Sequence, residues 1–125
     1  MNVVTSSSGE VVATAGQPLD AGIPPVSEAA VIEALRNIYD PEIPVNIYDL
    51  GLIYGLSVGQ DDGSVTITMT LTAPSCPVAG ALPQQVADTV AAIEGAGEVR
   101  VLLAWEPPWT MENMSEDARL ALNLY

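Results

Sequence analysis

The chain has 125 residues, 49% of them apolar, and sets 16 carboxylates against three arginines with no lysine, for a net charge of −13. That length suits one domain with enough apolar surface to fold without staples, and a strongly acidic chain with no basic stripe excludes nucleic acid as a partner. The sequence has no histidine and one cysteine, Cys76, which excludes Ser-His-Asp and Cys-His catalysis, histidine metal sites, an internal disulfide and a thiolate cluster held by one chain.

No run approaches the ~18–20 apolar residues of a membrane span. Positions 1–20 hold neither Lys nor Arg, so no basic leader region is readable. The expected setting is cytoplasmic, with no membrane partner. Acidity serves solubility first, and is also compatible with a basic protein partner.

Residues 1–25 are rich in Ser, Gly, Thr and Pro without a sustained period, and are expected to form a flexible tail before a domain at 26–125. The first predicted helix has Ser27 as N-cap and Val31, Ile32, Leu35 and Ile38 on one face. It is expected to stop at Tyr39-Asp40, because Pro41 disfavours a helical Asp40. A loop is predicted from Asp40 to Gly51, a strand over Leu52–Val58, and a turn over Gly59–Gly63. Val65–Thr72 alternates Val65, Ile67, Met69 and Leu71 against Thr66, Thr68, Thr70 and Thr72, which predicts a strand with one buried and one polar face.

A second helix is predicted from about Cys76-Pro77, with Val78, Leu82, Val86, Val90 and Ile93 on its apolar stripe and Gly95 and Gly97 closing it. Pro83 either kinks it or marks where its regular part begins. Val99–Trp105 is predicted as a third strand with Val99, Val101, Leu103 and Trp105 on one face, and Ser115 as the cap of a last helix through Leu122. The order α-β-β-α-β-α predicts an α+β fold, a small two-layer sandwich with helices on one face of a three-stranded mixed sheet. The pattern leaves the third strand's position in the sheet open.

Three features can carry chemistry. Cys76 follows a strand at the mouth of a helix, with Pro77 suited to the first helical position. Free amides and the helix dipole there favour a thiolate, against the alternative of a buried, inert cysteine. Asp40 and Glu42 flank Pro41 on irregular backbone, where paired carboxylates can accept protons, orient a thiol or meet a hard metal, or can simply be turn residues. Thr72, on the polar strand face, can offer its hydroxyl to the sulfur or be surface decoration. Trp105 and Trp109 bracket Pro107 and Pro108, which makes either a rigid partner surface or a core residue and the lid of a stiff turn.

The runs Tyr39-Asp40-Pro41-Glu42, Val45 to Tyr54, Met69-Thr70-Leu71-Thr72 before Cys76-Pro77, Trp105-Glu106-Pro107-Pro108-Trp109, and Met114 to Arg119 occur in that order. Together they resemble the SufT/PaaD metal–sulfur cluster assembly domain from about Val26 onward. The resemblance implies a part in maturing iron–sulfur proteins, a reactive thiol at Cys76 and an acidic pair at Asp40 and Glu42. It also implies SUF-type assembly proteins and client apoproteins as partners. PaaD-like members, which serve an aromatic-ring oxygenase, are expected to carry further C-terminal cysteines, so the SufT branch is the nearer resemblance. Members fused to a P-loop ATPase need a Gly-rich Lys-Ser/Thr motif that the sequence does not contain.

The expectation is an assembly factor rather than an enzyme, with Cys76 holding iron, sulfide or a cluster edge only transiently. No cofactor is bound tightly by one chain, since a cluster on one thiol must be shared, for instance across a homodimer. The rivals are a thiol enzyme using Asp40 or Glu42 as base, and an adaptor docking through its Pro-Trp surface with Cys76 merely structural.

Overall fold

The computed structural model describes residues 10–20, 22–40, 45–60, 62–71, 81–106 and 109–122. Its elements are β1 (Glu10–Ala15), α1 (Glu28–Leu35), α2 (Ile47–Leu50), β2 (Ile53–Val58), β3 (Val65–Met69), α3 (Ala81–Ala91), β4 (Val99–Leu103) and α4 (Glu116–Ala121). The sheet has four strands in the order β1-β4-β3-β2. β2 and β3 form an antiparallel hairpin, β3 and β4 run parallel, and β1 closes the other side antiparallel to β4. The α+β class holds, the predicted third strand lies beside β3, and the strand count rises from three to four.

The fourth strand falls inside the expected tail. β1 carries no long apolar run because its inward positions are small. Ala13 and Ala15 pair with Val101 and Val99, and Ala13 is buried. Small residues leave room for α3, whose Gln84 Nε2 donates to the Thr14 carbonyl at 3.1 Å. Gly16 follows at φ +80, and a Cβ there would stand 2.6 Å from the Gly97 carbonyl oxygen. Val26 N–H then donates to the Gly95 carbonyl at 2.9 Å. β1, Gly16 and Val26 are therefore part of the packed unit, and the composition misled because packing against glycine and alanine needs no bulk.

The inner sheet face is built by alternation. Val65, Ile67, Met69, Val99 and Val101 are fully buried, while Thr66 and Thr68 are half-buried and Arg100 is exposed. Leu82, Val86, Ala87 and Val90 of α3 and Val31 and Leu35 of α1 join the same core. Each fully buried branched side chain contributes on the order of 2 kcal/mol of transfer free energy, so this layer outweighs any single polar contact in the molecule.

Ser27 caps α1 as predicted, its hydroxyl accepting the Ala30 N–H at 3.1 Å, and Ser115 caps α4 through the Ala118 N–H at 3.1 Å. α1 ends at Leu35, earlier than Pro41 alone requires. Asn37 draws the Glu33 carbonyl away with its side-chain amide at 3.0 Å, and the chain then turns to pair Tyr39 with Asn46. The predicted loop over Asp40–Gly51 contains a short helix, α2, nucleated by the Asn46 side chain accepting the Asp49 N–H at 2.8 Å. The predicted start of the second helix at Cys76-Pro77 lies outside the described residues; Pro83 lies within the described part of α3. β4 stops at Leu103, and Ala104 closes the ladder with its N–H 2.8 Å from the Met69 carbonyl. The inside-outside alternation fails there: Ala104 is buried and Trp105 is 41% exposed.

Candidate functional site at the carboxyl end of the parallel strands

β3 and β4 are parallel and in register from Val65↔Val99 to Met69↔Leu103, so both chains leave the sheet at the same end. Ligands of open α/β sheets bind beyond the carboxyl ends of such strands. From that end one chain continues through Thr70 and Leu71 toward residues 72–80, and the other through Ala104, Trp105 and Glu106 toward 107–108. Thr70 and Ala104 therefore leave the sheet from adjacent positions, ahead in sequence of Cys76 and of Pro107-Pro108.

The entry to β2 completes this end. Thr70 N–H donates to the Leu52 carbonyl at 2.8 Å, and Leu52 N–H to the Ile47 carbonyl at 3.2 Å. α2 is then joined to the chain beyond β4. The Trp109 indole N–H donates to the Leu50 carbonyl at 2.7 Å, and Ser115 N–H donates to the Asp49 carbonyl at 2.8 Å. Gly51 makes this approach possible: it is left-handed at φ +87, and a Cβ there would collide with the Asn113 carbonyl. Asp40 reaches α2 through the Tyr39↔Asn46 bridge. Its N–H donates to the Val45 carbonyl at 3.2 Å, and Ile47 N–H donates to the Ile38 carbonyl at 2.8 Å.

Asp40 is 7% exposed, unusual for a carboxylate in so acidic a chain. Arg36 belongs to the neighbouring surface, with Nε 3.8 Å from Asp49 and Cζ 5.2 Å from the Tyr48 ring centroid. That half-exposed contact orients Arg36 but contributes well under about 1 kcal/mol.

Of the predicted site residues, Asp40, Trp105 and Trp109 are described, and they divide into distinct roles. Trp109 is anchored and half-buried, whereas Trp105 is exposed and is not a core residue. Cys76, Glu42, Thr72, Pro107 and Pro108 lie outside the described residues. Among the described residues no group of three or more acidic or thiol side chains is arranged to hold a metal ion. Sequence reasoning passed over Thr70. It is fully buried, and its hydroxyl has no hydrogen-bond partner among the described residues. Its place in the Thr66–Thr72 alternation made it look like one more polar-face residue.

Comparison with known proteins agrees with this architecture. Residues 28–103 match the family described as "Iron-sulfur cluster assembly protein". A Porphyromonas gingivalis protein named "Fe-S protein maturation auxiliary factor" is 50% identical over 96 residues, covering 77% of this chain and 90% of the relative. The Staphylococcus aureus "Fe-S protein maturation auxiliary factor SufT" is 38% identical over 87 residues, covering 70% of this chain and 98% of the relative. A solved Bacillus anthracis domain of unknown function superposes with a TM-score of 0.72 at 33% identity, over 78% of this chain and 92% of that one. The chain belongs to the iron–sulfur cluster assembly protein family, as a SufT-like member.

Proposed function

We propose that this protein is an accessory factor in iron–sulfur cluster assembly and acts through the Cys76 thiol during maturation of client apoproteins. The observation that supports the reading is the parallel, in-register β3–β4 pair, which brings the end of β3 and the exposed Trp105 to one end of the sheet. Family membership supports the same reading, since relatives are named as maturation auxiliary factors.

The chemistry follows from the donor inventory. A chain with one thiol and no histidine supplies one soft ligand, so iron, sulfide or a cluster is cargo whose other ligands come from elsewhere. Cys76 is the holding group, and the carboxylates Asp40 and Glu42 and the Thr72 hydroxyl tune its protonation. Trp105, with Pro107 and Pro108 preceding the anchored Trp109, forms the surface met by the client or the assembly machinery. Two copies of the chain bringing two Cys76 thiols to one cluster satisfy the sharing requirement, as does one Cys76 facing a client's cysteines. Nothing in this scheme requires turnover, and the protein acts as a handler of cargo rather than as an enzyme.

The test is the activity of an iron–sulfur enzyme such as aconitase in cells lacking this gene, with and without the wild-type gene restored. The proposal expects activity to fall on deletion and return on complementation. Unchanged activity and cluster content in the deletion strain would refute it. Anaerobic loading with iron and sulfide followed by gel filtration tests the sharing: colour on a strict monomer contradicts it.

A further inference from the structure

The sheet ends in two edges, β1 and β2, and they are built differently. β1 starts with Glu10 and carries a register shift in its middle, between Val11 and Ala13. Charges and bulges are devices that keep an edge from pairing with another chain. On β2 the shift falls at Ile53/Gly55, and from Gly55 to Val58 the ladder with β3 is regular. That stretch has no charge and no proline. No charged residue occurs in 50–60 or in 63–87, although the chain carries 16 carboxylates.

The phase of the ladder decides which backbone groups face outward. Gly59 N–H donates to the Ser64 carbonyl at 2.7 Å, and Ser57↔Thr66 and Gly55↔Thr68 share that phase. Opposed residues of an antiparallel pair alternate between bonded and non-bonded. Leu56 and Val58 therefore turn their N–H and C=O groups away from β3, toward an edge that has no further strand among the described residues. The Val58 carbonyl accepts there from Gln60 Nε2 at 3.5 Å, too long for a strong bond.

We propose that this edge pairs with β2 of a second copy of the chain, antiparallel, with Ser57 opposite Ser57 at the twofold axis. In that register Leu56 of each copy faces Val58 of the other, and their outward N–H and C=O groups satisfy one another. The two four-stranded sheets become one. Charge selects this occupant. Two chains at −13 repel, so contact between copies is favoured where neither carries charge. An antiparallel strand edge is also its own complement about a twofold axis. Ser57 is exposed, so the axis leaves each core unchanged. Because the paired strands run in opposite directions, the carboxyl ends of the two β3–β4 pairs point apart, and each meets a client separately. The assignment stands independently of the Cys76 reading.

The test is sedimentation velocity of the full chain over a range of concentrations, at low and high salt. Dimer is expected to form with rising concentration and to gain with salt, which screens the repulsion between acidic copies. Ser57→Lys and Ser57→Glu each set like charges face to face, and each is expected to weaken the dimer about tenfold or more. An equimolar mixture of the two variants is expected to recover it, which also shows that neither is merely unfolded. Hydrogen exchange is expected to slow at the Leu56 and Val58 amides as the dimer forms, and not at Ser57, whose amide already faces β3. A chain that stays monomeric at every concentration overturns the proposal. So does a dimer that neither charge weakens, or a mixture that fails to recover it. Protection of Leu56 and Val58 only on adding a client apoprotein overturns it too, and gives the edge to an extended client segment. None of these failures bears on complementation of the deletion strain, which tests the proposed function separately.

Discussion

Replacing Gly51 by alanine separates two effects that usually arrive together. Gly51 and Gly22 have nearly the same φ, +87 and +90. A Cβ at Gly22 meets nothing within 4 Å, whereas at Gly51 it would lie 2.7 Å from the Asn113 carbonyl carbon and 2.8 Å from its Cβ. Gly22→Ala therefore reports the left-handed penalty alone, about 1 kcal/mol. Gly51→Ala adds an overlap with backbone that cannot swing aside. Moving Asn113 would lengthen the Ser115-to-Asp49 bond of 2.8 Å and the Trp109-to-Leu50 bond of 2.7 Å. Overpacking of this kind costs about 1–3 kcal/mol, so the sum is about 2–4 kcal/mol. For a domain of this size about 1 kcal/mol lowers Tm by roughly 4–8 °C, which predicts losses of about 5 °C at Gly22 and upward of about 10 °C at Gly51. Urea unfolding of both variants beside wild type gives the two values directly. Equal losses would refute the close approach of the 111–115 segment to α2, and with it the account of how this end of the sheet is assembled.

Deleting residues 1–16 removes β1, opens the β4 edge and strips Ala13 and the Gln84–Thr14 bond from the packing; thermal unfolding should fall by many degrees, whereas a flexible tail would leave it unchanged. Trp109→Phe keeps most of the ring but loses the bond to Leu50, for an expected loss of about 1 kcal/mol in denaturant titration. Trp105→Ala should change stability by less than about 1 kcal/mol, because the ring is 41% exposed, while weakening capture of assembly proteins or clients in pull-down measurements. Asp62 accepts the Ser64 N–H at 3.0 Å, and that bond holds its carboxyl below the usual 3.8. A lowered folded-state value stabilises the fold above pH 4 or so and loses that contribution as pH falls through the folded value. Asp62→Ala should therefore flatten the acid limb of a stability–pH curve.

What could be read from the sequence was what periodicity and capping encode. The Val65–Leu71 alternation, the Leu82-Val86-Val90 stripe and the Ser27 and Ser115 caps all lie where local chemistry put them, because each depends on residues near in the chain. β1 was not readable, since Ala13, Ala15 and Gly16 pair with and pack against residues some eighty positions away and carry no pattern of their own. α2 was hidden by its length of four residues, too short for a period, although Asn46 three residues before Asp49 was a usable cap signal. The position of the last strand is decided by its parallel pairing with β3, a long-range choice that strand patterns do not specify. At the site, buried Asp40 was singled out from its Asp-Pro-Glu context, and Trp105 and Trp109 were found but not told apart. Thr70 was missed because burial on a nominally polar face is a property of the packed end of the sheet, not of the strand.

We propose that maturation of iron–sulfur clients passes through the Cys76 thiol. Its most direct test is aconitase specific activity and cluster content in cells lacking this gene, complemented with wild type or with Cys76→Ser at matched protein levels. Wild type is expected to restore both and Cys76→Ser neither. Full restoration by Cys76→Ser would contradict the thiol mechanism and leave the Trp105 surface as the working part of the molecule.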